Sequence, residues 1–158
     1  MLEPLGRARA PNTLTEARAP WYGAPGSCMW VRKMAKTSKD YIDEANAAVE
    51  KIDRAAAERL MDEGALVLDV RDAPEVEESG RVKGAHHVPR GMLEFRADEG
   101  SKYHDPELRK DRPVVVYCAS GGRAALAGKV LQDMGYERVY NLGGYKDWAE
   151  GGGEVEKG

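Results

Sequence analysis

Two segments of the chain are apolar at nearly every position, the first interrupted only by Asp69 near its end. Ala65-Leu66-Val67-Leu68-Asp69-Val70 and Pro113-Val114-Val115-Val116-Tyr117-Cys118 are short and rich in β-branched residues. That is the mark of strands covered on both faces of a parallel sheet. Ala85 to Val88, closed by Pro89, and Arg138 to Leu142 predict two more short strands. Between these runs the apolar positions recur at helical spacing. Tyr41, Ile42, Ala45, Val49 and Ile52 define one helix, with Ser38 as its cap. Asp53 caps a second, running through Ala57 and Leu60 to Met61, and Gly64 is placed to end it. Short helices are expected around Ala73 to Ser79 and across residues 91–97, and a longer one from Ala124 to Met134, stopped by Gly135. Gly143-Gly144 reads as a turn before a terminal helical turn, Tyr145 to Ala149. Strands alternating with helices predict an α/β domain of three layers, a central, mostly parallel sheet with helices on both faces.

The ends read differently. Residues 1–35 hold Pro4, Pro11, Pro20 and Pro25 without helical or strand periodicity, and are expected to be a disordered extension. Met34, followed by Ala-Lys-Thr-Ser-Lys-Asp, has the look of a natural start. Residues 36–52 form an extra amino-terminal helix, 53–151 the domain proper, and 152–158 a flexible tail after Gly151-Gly152-Gly153.

Composition narrows the function. The formal net charge is −3, which argues against the clustered basic face of a direct nucleic-acid binder. The two cysteines, Cys28 and Cys118, make no disulfide framework, and no Cys/His cluster suggests a metal. Reduced thiols, no secretory signal and no apolar stretch of membrane-crossing length place the protein in the cytoplasm and away from membranes.

Candidate chemistry gathers at Cys118. In an open α/β sheet, ligands bind at the carboxyl ends of the strands, where Cys118 is placed. Ser120, Gly121 and Gly122 let the following backbone curl and turn its N–H groups inward. The helix beyond points its positive end at the same place, so a thiolate or a bound oxyanion is stabilised there. Arg123 adds a charge with a fork suited to oxyanions. An inert core cysteine would need none of these neighbours.

Cys118-Ala119-Ser120-Gly121-Gly122-Arg123 resembles the active-site loop of the rhodanese family. The cysteine plus five residues is the length of the sulfurtransferase loop; the related dual-specificity phosphatases carry one residue more. Leu66-Val67-Leu68-Asp69-Val70-Arg71 is similar to the family's first core strand, Gly80 to Pro89 to its amino-proximal signature, and Val139 to Trp148 to its carboxyl-proximal one. Arg81 and Lys83 stand where the family usually has His and Pro. The resemblance covers roughly residues 53–150 and implies a single-domain, thiosulfate sulfurtransferase-like enzyme without a cofactor. On that implication Cys118 is the catalytic nucleophile and Ala119, Ser120, Gly121, Gly122 and Arg123 bind the donor. The donor is a small sulfur anion such as thiosulfate, and the acceptor cyanide, a thiol or a protein cysteine.

Other residues carry blander readings. Asp69 and Arg71 are expected to form a structural ion pair under the loop. His86 and His87, adjacent on a strand, point to opposite faces and cannot easily share one metal ion. Tyr145 and Trp148 cover the core, Arg90 and Arg96 lie on a solvated helix face, and Cys28 is a bystander. Two rival functions remain open: a phosphatase or arsenate reductase on the same scaffold, and a non-catalytic rhodanese module. The physiological donor, the acceptor and the oligomeric state are not legible.

Overall fold

The computed structural model describes residues 35–158. The readings placed on residues 1–34, among them the Met34 start, the disordered extension and Cys28, lie outside the described residues.

Five strands form one sheet: β1 (Glu50–Lys51), β2 (Leu66–Asp69), β4 (His86–His87), β5 (Val114–Cys118) and β6 (Val139–Gly144). Their order is β1-β6-β5-β2-β4, and every neighbouring pair is parallel. β5 is the middle strand and is buried at every position. Alternate side chains of β2 and β5 supply two separate cores. Leu66, Leu68, Val114, Val116 and Cys118 face one way and pack with Ala124, Ala127 and Leu131 of α5 (Gly122–Asp133) and with Leu93 and Ala97 of α4 (Leu93–Ala97). Val67, Val115 and Tyr117 face the other way, against Ala57 of α2 (Arg54–Asp62) and Trp148 of α6 (Tyr145–Glu150). This is the expected three-layer α/β architecture.

The amino-terminal segment differs from its reading. Helix α1 (Ser38–Ala48) is capped by Thr37, one residue before Ser38: the Asp40 backbone donates to the Thr37 hydroxyl and the Asp40 carboxylate accepts from the Thr37 backbone. The helix stops at Ala48, short of Ile52. Val49 turns extended, and Glu50–Lys51 pairs with Tyr140 and Asn141 as the edge of the main sheet. Helical periodicity continued through Val49 and Ile52 because both side chains still pack inward, from the residues that flank the short strand rather than from a helix. Asp53 caps α2 as expected, accepting from the Ala56 N–H at 2.8 Å.

The carboxyl end differs too. Gly143 and Gly144, expected in a turn, are the last residues of β6. Residues 152–158, expected to be flexible, contain β7 (Val155–Glu156), antiparallel to β3 (Arg81–Val82). Arg81 pairs with Glu156 and Lys83 with Glu154, each at 2.7 Å, and the Trp148 indole N–H donates to the Glu154 carbonyl at 3.0 Å. Arg81 and Lys83 thus face acidic partners, one on the final strand and one just before it.

Candidate active site

The carboxyl ends of β2, β5 and β6 lie side by side, which gathers Asp69, Cys118 and Gly144 at one edge of the sheet. Cys118 is 1% exposed. Its sulfur accepts the Gly121 N–H at 3.0 Å. Gly121 makes this possible by adopting φ +98, the left-handed region that a side chain disfavours. Gly122 then opens α5, so the positive end of the helix begins beside the sulfur that the Gly121 N–H already touches. Ala119 and Ser120 are exposed on the rim of this loop.

The loop rests on β6, and the fit depends on glycine. A Cβ at Gly144 would stand 2.7 Å from the Ala119 carbonyl oxygen, and one at Gly121 would stand 3.2 Å from the Gly143 Cα. β6 carries an extra residue here: Val116 pairs with Asn141, but Tyr117 pairs with Gly143. The irregularity turns the buried Asn141 amide toward the loop. Its amide nitrogen donates to the Gly121 carbonyl at 3.3 Å, and its oxygen accepts the Gly143 N–H at 2.9 Å. Asn141 was not singled out from the sequence. A polar residue at a central apolar strand position was the available signal.

Asp69 and Arg71 meet as an ion pair below the loop. Both are buried, at 0% and 2% exposure, and the guanidinium reaches the carboxylate at 2.6 Å. Burial opposes the Arg71 charge, but the Asp69 carboxylate overcomes it and holds the guanidinium above its ordinary pKa. Arg71 also donates to the Ser79 hydroxyl and the Gly80 carbonyl and lies 4.2 Å from the centre of the Tyr145 ring. The Tyr117 hydroxyl donates to Asp69 at 2.6 Å and accepts the Val82 N–H at 3.1 Å. Burial, with the Asp69 carboxylate beside it, pushes the Tyr117 phenol far upward. Tyr145 donates to the Ser79 carbonyl at 2.7 Å, so it ties α6 to α3 (Ala73–Ser79) as well as covering the core.

The fork of Arg123, expected to face an oxyanion, is already occupied by a carboxylate. It makes two 2.7 Å bonds to Glu75 of α3, and Asp72 lies 3.7 Å away. The Arg123 guanidinium holds the Glu75 carboxyl down at about 2. The histidines have separate partners. The His87 ring donates Nε2–H to the Arg71 carbonyl at 2.8 Å, and His86 sits 2.7 Å from Asp105. Arg90 pairs with Glu94, and Arg96 lies 3.5 Å from Asp105. No group of three His, Cys, Asp or Glu among the described residues is placed to hold a metal ion.

A family model described as a rhodanese-like domain matches residues 53–151. The chain belongs to the rhodanese-like family. A sulfurtransferase from Allochromatium vinosum is 36% identical over 107 residues, 66% of this chain and 92% of that protein. The uncharacterized protein YqhL of Bacillus subtilis is 34% identical over 93 residues, 58% of this chain, and the match spans 64% of YqhL's own length. Among solved structures, a protein of unknown function from Rhodopseudomonas palustris, described as a possible tyrosine phosphatase, is 38% identical. It superposes with a TM-score of 0.72 over 78% of this chain and 96% of its own. A sulfurtransferase family role therefore stands beside a near structural relative described in other terms. The described residues contain no helix long and apolar enough to cross a membrane.

Proposed function

We propose that this rhodanese-like protein is a sulfurtransferase that carries sulfane sulfur as a persulfide on Cys118. The observation that carries the reading is the buried sulfur of Cys118 at the head of α5, with the Gly121 N–H 3.0 Å away. The Cys118 thiolate attacks the outer sulfur of a donor such as thiosulfate. The donor's S–S bond breaks, sulfite leaves with its electron pair, and an S–S bond forms to Cys118. Cyanide, a thiol or a protein cysteine then takes the outer sulfur and returns the thiolate. Total charge is unchanged in each step, and a leaving anion as competent as sulfite needs no general acid.

Ala119 to Arg123 contribute their backbone N–H groups to the negative charge on sulfur. Asp69, Arg71 and Tyr117 keep the sheet edge rigid beneath the loop, and Asn141 fixes the loop's turn. Nothing in this cycle calls for a cofactor or a bound metal, and a small anion acting on reduced thiols fits a cytoplasmic setting.

The description of the Rhodopseudomonas palustris protein favours a second reading, an oxyanion-processing phosphatase or arsenate reductase. The compact loop, five residues beyond Cys118, suits an incoming sulfur better than a whole phosphate. A non-catalytic binding module would have no use for the cradled thiol. Assaying thiosulfate:cyanide transfer and aryl phosphate hydrolysis on the same preparation separates these readings. Thiocyanate production that disappears in Cys118→Ser supports sulfur transfer; phosphate release without thiocyanate replaces it with the phosphatase.

A further inference from the structure

The side-chain charge beside the Cys118 cradle is not what a receptor for a doubly charged anion would present. Arg123 is the guanidinium that opens α5 next to the loop. Glu75 above all, with a smaller contribution from the Cys118 sulfur, holds it above its ordinary pKa. Yet both arms of its fork are taken by the two oxygens of Glu75 at 2.7 Å, and Asp72 stands 3.7 Å from it on the same side. One cation faces two carboxylates, so the side chains here sum to a net negative charge. The pull on a donor is left to the loop N–H groups and the helix end, which carry only partial charges. Glu75 is itself locked in place. It accepts the Asp72 N–H at 3.0 Å at the start of α3, so its carboxylate is held by the helix cap as well as by Arg123. The pair is not buried: Arg123 and Glu75 are 33% and 36% exposed, so it can open without stranding a charge in the core.

We propose that Glu75 sets the donor preference of the Cys118 site: by occupying the fork of Arg123 it disfavours a dianionic donor relative to a singly charged donor with the same outer sulfur. The inference rests on the persulfide reading of Cys118. Glu75 is a positioning residue, acting on the donor through Arg123. Coulomb energy scales with the donor's charge, so freeing Arg123 helps a dianion about twice as much, in free energy, as a monoanion. That proportion separates a charge effect from any general improvement of the loop.

The test compares thiosulfate with methanethiosulfonate, in which a methyl group replaces one charged oxygen. Each gives its outer sulfur to the Cys118 thiolate, and sulfite or methanesulfinate leaves with the electron pair. In Glu75→Gln the amide keeps the size and the capping acceptor but loses the charge. The expected result is a rise in kcat/KM of about tenfold for thiosulfate and about threefold for methanethiosulfonate, with the thiosulfate gain in KM and diminishing as salt is raised. Asp72→Asn, at a largely exposed position, gives a smaller change in the same order and serves if the first variant does not fold. Equal changes for the two donors, no change, or a loss for thiosulfate would overturn the role of Glu75 while leaving the persulfide cycle intact. Failure of the unsubstituted protein to take sulfur from either donor would overturn both.

Discussion

Two arginine–carboxylate pairs flank the same loop, and they differ in almost everything except chemistry. Asp69–Arg71 is sealed beneath the sheet edge at 0% and 2% exposure. Arg123–Glu75 stands at the rim, a third exposed, with comparable bond lengths. The inner pair is knitted into Tyr117, Ser79, Gly80 and Tyr145, so every polar atom has a partner and no partner can be removed alone. The outer pair has water as an alternative for each charge. Burial thus decides that one pair is architecture and the other is adjustable.

The largest effect is expected at the inner pair. Arg71→Met leaves the Asp69 carboxylate buried with a tyrosine hydroxyl and an N–H, and should cost about 3–5 kcal/mol in urea unfolding. A loss below about 1 kcal/mol would mean that Asp69 is rehydrated and that the contrast in burial is wrong.

Next is Asn141→Ala, which strands the buried Gly143 N–H and leaves the Gly121 carbonyl with the Ala125 N–H alone. It should cost about 1–3 kcal/mol. The rate of sulfur loading, followed by mass at a temperature where the variant is folded, should fall as well. A stable variant with normal loading would show that the loop holds its turn without the amide. Tyr117→Phe removes the hydroxyl between Asp69 and Val82 and should cost a similar 1–3 kcal/mol, roughly, since the Val82 N–H is left unpaired. Its loading rate should be nearly normal in the folded protein.

The smallest stability effect belongs to the outer pair. Glu75→Gln should change unfolding free energy by less than about 1 kcal/mol, because solvent screens the pair. Its pH dependence has a definite sign. The Glu75 carboxyl is held at about 2, below its ordinary value of 4.5. Its contribution is therefore fully present above pH 4.5 and is lost as pH falls toward 2. The stability difference between the unsubstituted protein and Glu75→Gln should be constant from neutral pH down to that window and shrink through it. A difference that instead grew on acidification would contradict the pairing.

The same contrast of inside and outside explains what the sequence disclosed. β2, β5 and the loop at Cys118 were legible because consecutive apolar residues ending in Cys-Ala-Ser-Gly-Gly-Arg leave few alternatives. The pairing of Asp69 with Arg71 was expected from their place at a strand end. β1 was missed because Val49 and Ile52 satisfy a helical period as well as an edge strand does. β7 was missed because Val155 and Glu156 have no pattern of their own; they are ordered by Arg81 and Lys83, more than seventy residues earlier. Glu75 was passed over because a carboxylate in a short helix looks solvated until the fold brings Arg123 to it, 48 residues away. Long-range partners of single polar residues leave no local periodicity, and these are the features that shape the site.

The central claim is that Cys118 carries the sulfur, and intact mass spectrometry tests it most directly. The protein is weighed as purified, after thiosulfate, and after subsequent cyanide. The persulfide account predicts a gain of about 32 Da that cyanide removes and that Cys118→Ser never shows. No gain with thiosulfate or with mercaptopyruvate, or an equal gain in Cys118→Ser, would contradict it.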